Sequence, residues 1–130
     1  MTRPRSLLLD THALVWWASG DKQLSSEVKR LILDRDTRVF VSAATAWEIA
    51  TKVRLGKLAW GRSEAVESYS VGQDFELLPV TFAHGEKAGS WVQDHGDPFD
   101  RMLAAQSHLE RIPLATNDPR IRQFGVTTVW

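Results

Sequence analysis

The sequence predicts an α/β domain in three layers, with a mainly parallel central sheet and helices on both of its faces. Three observations point there. Short apolar runs of strand length alternate with stretches of helical spacing from one end of the chain to the other. The first run, SLLLD at residues 6–10, is apolar at consecutive positions, as in a strand covered on both sides. At 130 residues without a cysteine, the chain suffices for one domain that holds its core without disulfides. Strands joined through helices form right-handed parallel crossovers, which is the three-layer arrangement.

The elements follow in order. After the strand at 6–10, THALVWWA reads as a short helix. Residues 25–34 carry Val28, Leu31 and Ile32 on one helical face behind Ser25 as N-cap. Residues 39–41 form a second buried strand, and Ser42 opens a helix through AATAWEIATKVRL. Its Ala46, Ile49, Ala50 and Val53 make an apolar stripe, and Gly56 stops it. SEAVESYSVGQ predicts another helix, ELLPV a third strand, and TFAHGEKAGSWVQ a helix weakened by its two glycines. In HGDPFDRMLAAQ, Asp97 caps a helix whose first turn holds Pro98 and which runs to about Arg111. IPLAT is a strand, residues 119–123 a turn of helix, and VTTVW the last strand. Repeats and linker-like segments are absent, so residues 1–130 are expected to form a single domain.

Composition narrows the function. Sixteen basic residues balance sixteen acidic ones, so any surface for a polyanion has to be local. The lack of cysteine excludes thiolate zinc sites and cysteine nucleophiles. No apolar run approaches the roughly 20 residues that cross a bilayer, and MTRPRSLLLD has too short an apolar segment for a secretory signal. The expectation is a cytoplasmic protein with no membrane partner.

The acids carry the chemistry. Ligands of parallel α/β sheets gather at the carboxyl ends of the strands. Asp10 ends the first strand, Asp118 follows IPLAT, Asp97 and Asp100 open a helix on the same edge, and Glu48 lies in the second turn after Ser42. Each has a structural reading of its own. Asp10, Asp97 and Asp118 suit N-caps, Asp100 suits the positive end of a helix dipole, and Glu48 stands four residues before Lys52. Those readings leave the convergence unexplained. Clustered carboxylates repel unless a cation offsets them, and a hard divalent ion takes oxygen ligands together with phosphate. Such an ion activates water and stabilises charge on a phosphodiester. His12, His84, His95 and His108 show no HExxH-like spacing, argue against zinc, and read as surface or supporting groups.

With LLLDTHALVWW, VSAATAWEIATKVRLGKL, HGDPFDRMLAAQ, PLATNDPRI and a closing VTTVW in that order, the chain resembles the PIN-domain ribonucleases, and most closely the VapC-type toxins of toxin–antitoxin pairs. The resemblance implies a PIN-like α/β/α fold and a Mg²⁺-dependent endoribonuclease, with Mn²⁺ as a substitute. It also implies a homodimer and neutralisation by a VapB-like antitoxin. Position by position, it makes Asp10, Glu48 in WEIA, Asp100 in DRMLAA and Asp118 in TNDP the catalytic, metal-binding acids. Asp97, in the DPFD extension, is a cap or a further ligand, and the hydroxyls of Thr11 and Thr116 support the acids.

Lys52, Arg54, Lys57 and Arg62 form a local basic run, and Arg101 sits beside the acids; these are the candidate contacts to RNA phosphates. Of the six tryptophans, Trp47 is expected to pack with its helix, while Trp16, Trp17 and Trp60 suit a partner surface. An aspartyl phosphatase would want an acid where His12 stands, and a receiver-like domain would need a central aspartate and a strand-end lysine that are not evident. The remaining alternative is a non-catalytic RNA-binding or protein-interaction module on the same fold.

Overall fold

A computed structural model describes residues 5–130. Its elements are β1 (Ser6–Leu9), α1 (Thr11–Ser19), α2 (Ser26–Leu33), β2 (Arg38–Ser42), α3 (Ala43–Arg54) and α4 (Val66–Gly72). They continue with β3 (Glu76–Leu78), α5 (Phe82–Ser90), α6 (Pro98–Glu110), β4 (Leu114–Ala115), a 3-10 helix (Pro119–Phe124) and β5 (Thr128–Val129). The five strands are ordered β3-β2-β1-β4-β5, and every pairing is parallel. The predicted fold class is the one observed.

Strand alternation divides the core in two. Leu7, Leu9, Val39, Val41 and Ala115 face Ala13, Leu14, Val28, Leu31 and Tyr69 of α1, α2 and α4. Leu8, Phe40 and Leu114 face Leu103 and Ala104 of α6 with Ile121 and Phe124 of the 3-10 helix. Because β1 is covered on both sides, consecutive leucines with no exposed surface are its natural sequence.

Several elements are shorter than expected, each for a local reason. The strand expected at 112–116 begins at Leu114 because Ile112 belongs to the exit of α6: its amide donates to Ser107 O, and Ser107 Oγ donates back to Ile112 O at 2.5 Å. The strand expected at 76–80 ends at Leu78, ahead of Pro79, which lacks an amide donor. The helix expected at 81–93 stops at Ser90, where Trp91 turns extended. The helix expected at 63–73 starts only at Val66, and the closing strand reduces to Thr128–Val129.

The stripe expected on α3 is a correction. Of Ala46, Ile49, Ala50 and Val53, only Ile49 is fully buried, and Val53 is 44% exposed. The helix is rotated so that Thr45 and Glu48 go inside with Ala44 and Ile49. A buried carboxylate is tolerated there because partners from α1 and from the next turn of α3 meet it. Trp47 is corrected as well: it is 60% exposed and meets Phe99 of α6 edge to face at 4.6 Å. Trp16, Trp17 and Trp60, expected at a partner surface, are partly buried against the first core and keep part of their surface exposed.

Candidate metal centre

The order of the sheet reverses at β1, which pairs with β2 on one side and β4 on the other. The crevice past the carboxyl ends of β1 and β4 is the expected ligand position for such a sheet. Asp10 follows β1 directly, and its amide donates to Ala115 O of β4 at 3.1 Å. Its side chain caps α1 by accepting from Ala13 N at 2.8 Å and also takes a hydrogen bond from Thr116, just beyond β4. Burial raises the Asp10 carboxyl from its ordinary value to about 6, although both hydrogen bonds and the charge of His12 work against the rise.

Glu48 reaches the same crevice from the second turn of α3. It is 3% exposed, accepts from Thr11 Oγ1 at 2.5 Å, and pairs with Lys52 one turn on. Burial pulls Lys52 downward, but the hydrogen bond and charge of Glu48, helped by Asp97 and Asp100, outweigh it and hold the ammonium above its ordinary value. Asp118 caps the 3-10 helix, accepting from Arg120 N, and a side-chain pair with Arg120 keeps its carboxyl below the ordinary range. Thr116 Oγ1 accepts from the Asp118 amide at 3.2 Å, so one threonine touches two of the acids.

The two aspartates at the start of α6 differ. Asp97 is the cap: its Oδ1 accepts from both Phe99 N and Asp100 N, with Pro98 in the first turn. Asp100 faces the crevice. Burial first, then the charges of Asp97 and Glu48, raise its carboxyl to about 6, with His95 opposing them. Its charge is felt by Asp10 as well, and that of Asp118 adds to its own rise, so Asp100 interacts electrostatically with each of the other four acids.

His95 is the member that sequence reading missed as part of the cluster. It is 5% exposed, and its Nε2 lies 3.2 Å from Asp100 Oδ2 and 4.0 Å from Asp118 Oδ2. Neither approach meets hydrogen-bond geometry, which leaves a buried ring nitrogen without a hydrogen bond among the described residues, facing carboxylates. The signal available was its place five residues before Asp100 in HGDPFD. His84 is likewise no surface group: it is buried, caps α5 with Thr81 and meets Glu110 at 2.9 Å.

Donor atoms of His95, Asp100 and Asp118 all lie within 4.8 Å of one another, with Asp10 and Glu48 electrostatically coupled to Asp100 beside them. These residues fit a divalent cation. Two carboxyls forced upward by burial and repulsion, and an orphaned imidazole nitrogen, are a donor set that a small cation satisfies. A residue-level match supports the same fold assignment: the PIN domain family model covers residues 7–126. The chain belongs to the PIN domain family.

Solved structures carry this PIN domain's fold. VapC20 of Mycobacterium tuberculosis, a sarcin-ricin loop cleaving toxin, is 19% identical over 95% of this chain and 98% of that one, with a TM-score of 0.66. FitAcB of Neisseria gonorrhoeae is 22% identical over 95% and 96%, with a TM-score of 0.63. VapBC2 of Rickettsia felis, bound to a DNA fragment from its promoter, is 13% identical over 96% and 98%, also with a TM-score of 0.63. No curated protein matches the chain in sequence.

The basic residues of the PIN domain are dispersed. Arg54 and Lys57 are exposed, whereas Lys52 is engaged by Glu48. Arg62 donates to Ala18 O at 2.7 Å and lies over the Tyr69 ring. Arg101 points away from phosphate-binding altogether: Nε donates to Ala88 O, Nη1 to Gln93 O and His95 O, and Nη2 to Trp91 O at 2.5 Å. Four of its five donors thus bind the backbone leading into α6.

Proposed function

We propose that the protein is a divalent-metal-dependent endoribonuclease, acting as the toxin of a toxin–antitoxin pair, with Mg²⁺ or Mn²⁺ as cofactor. The observation that carries this reading is the convergence of buried and half-buried carboxylates, with Asp100 repelled by its neighbours, at the switch point of a PIN-domain sheet. Asp10, Glu48, Asp100 and Asp118 would hold the cation, directly or through water. When bound, it supplies an activated water and offsets charge on the scissile phosphodiester.

The chain's own groups prepare that chemistry. Thr116 fixes Asp10 and Asp118 relative to each other, while Thr11 and Lys52 fix Glu48. Lys52 also offsets part of the acid cluster, so α3 brings both a ligand and a counter-charge. Arg54 and Lys57, exposed beyond that helix, are the remaining candidates for RNA phosphates.

A groove of about 640 Å³ beside α3 and α4, lined by Ala46, Ile49, Ala50, Val53, Trp60 and Val66, supports docking of a protein partner. A VapB-like antitoxin and a second copy of the chain are the partners in this reading, and a cytoplasmic location goes with it. Among the described residues no helix is long and apolar enough to cross a membrane.

The test is cleavage of total RNA by the purified chain with its 5′ ends mapped. Cuts that need a divalent ion and vanish in Asp10→Asn and Asp100→Asn support the reading. RNA retained without being cut, in the presence of the ion, indicates the alternative, a binding module.

A further inference from the structure

We infer that His95 is a nitrogen ligand of the metal centre, and that it gives the site a preference for Mn²⁺ and the transition-metal ions that follow it over Mg²⁺. This rests on the reading of the acidic crevice as a metal centre. It adds a donor of a different kind to a set otherwise made of oxygen.

The geometry supports direct ligation. Neighbouring donors around a cation with bonds of about 2.1 Å stand roughly 3 Å apart, and opposite ones roughly 4 Å. His95 Nε2 is 3.2 Å from Asp100 Oδ2 and 4.0 Å from Asp118 Oδ2, which matches one of each. Buried polar atoms in folded proteins almost always find a hydrogen-bond partner, and among the described residues this one meets only the ion-pair approach of Asp100, outside hydrogen-bond geometry. The exception makes sense if a ligand shared with Asp100 and Asp118 supplies the partner.

The imidazole is also held in place. Its ring stacks on Phe124 at 6.0 Å with the planes 18° apart, and Arg101 Nη1 binds the His95 carbonyl at 2.9 Å. A ring fixed by both its face and its backbone is a donor oriented before the cation arrives. Mg²⁺ favours oxygen and retains its waters, whereas Mn²⁺, though it also suits carboxylates, begins the transition series along which affinity for nitrogen donors rises. A nitrogen in the donor set therefore shifts selectivity rather than merely adding affinity.

The experiment is pulsed electron paramagnetic resonance of Mn²⁺ bound to the full chain, combined with Mn²⁺ and Mg²⁺ titrations by calorimetry. A directly coupled ¹⁴N is expected, replaced by ¹⁵N when the protein is made with [¹⁵N]histidine. It persists in His12→Gln, which removes the other histidine next to an acid of the crevice, and disappears in His95→Gln. The same His95→Gln variant should lose about tenfold or more of the Mn²⁺ over Mg²⁺ affinity ratio. Because the isotope exchange and the His12→Gln variant leave His95 in place, the result does not depend on His95→Gln folding.

Mn²⁺ that binds in an Asp100-dependent manner but shows no histidine nitrogen overturns the inference and leaves the proposed function standing. Nitrogen coupling that survives in a folded His95→Gln variant, or an unchanged affinity ratio there, also overturns it. Mn²⁺ binding equally weakly to the parent and to Asp100→Asn would remove the metal centre itself, and this inference with it.

Discussion

The two edges of the sheet treat charge in opposite ways. At the amino end, Arg38 and Glu76 open adjacent strands and meet through two bonds of 2.7 Å, which hold the Glu76 carboxyl below its ordinary range. At the carboxyl end, Asp10 and Asp100 are forced upward by burial, Asp100 further by neighbouring acids, and a buried histidine nitrogen finds no hydrogen bond among the described residues. The same fold thus satisfies its charges where they only close a surface; where a ligand is expected it pairs Glu48 with Lys52 and Asp118 with Arg120 but, among the described residues, leaves Asp10 and Asp100 without a basic side chain of that kind. Unmet electrostatic demand, rather than the presence of acids, distinguishes the candidate site.

That contrast can be broken by experiment. The largest effect is expected from Asp100→Asn, the acid coupled to all the others. RNA cleavage should fall by more than about a hundredfold, since removing even groups that support a metal ligand costs 10–100-fold. Circular dichroism should remain that of the parent; cleavage within a few-fold of the parent would remove the acid rim from catalysis.

Arg101→Ala comes next. Four backbone carbonyls lose a charged donor, and a loss of about 3 kcal/mol in unfolding free energy is expected by urea titration. A change under about 1 kcal/mol would mean that the segment before α6 holds itself.

Asp10→Asn should stabilise the metal-free protein at pH 7, by on the order of 1–3 kcal/mol, because asparagine caps as well as aspartate but carries no charge to bury. The sign follows from the raised folded value of about 6. Below about pH 4 the carboxyl is protonated both folded and unfolded, and the variant gains nothing. Between about 4 and 6 only the unfolded chain ionises freely, so the parent loses stability as pH rises and the difference opens. Thermal melts at pH 4 and pH 7 in chelator read it; an advantage that is equal at both values would assign it to something other than charge. Saturating Mn²⁺ should restore the parent and leave Asp100→Asn where it was.

Arg38→Ala should change least. Exposed pairs contribute little, so cleavage should be unaffected and the melting temperature nearly so. A loss of activity there would couple the two edges.

Much of this was legible in the chain. The strand at 6–10 could be read because consecutive apolar residues are the direct signature of burial on both faces. Asp10, Asp100 and Asp118 could be placed on one edge because strand direction alone decides where a parallel sheet ends. Capping did not draw them away from that edge: Asp10 and Asp118 each close a helix start while lying at the crevice. The rotation of α3 was hidden, since Glu48 goes inside on account of Thr11, 37 positions away, which apolar periodicity does not record. His95 was hidden for a similar reason. It sits in a segment without periodicity, and its orientation comes from the carbonyl contacts of Arg101, to which a side-chain pattern is blind.

Those contacts have an evolutionary consequence. Arg101 grips residues 88, 91, 93 and 95 by main-chain oxygen alone, a group that every amino acid provides. The path of the segment is therefore insulated from the identity of its outward side chains, such as Val92, which is 94% exposed, and Asp94. Selection for a new target or a new partner can respell those positions while the histidine and the helix behind them stay in register.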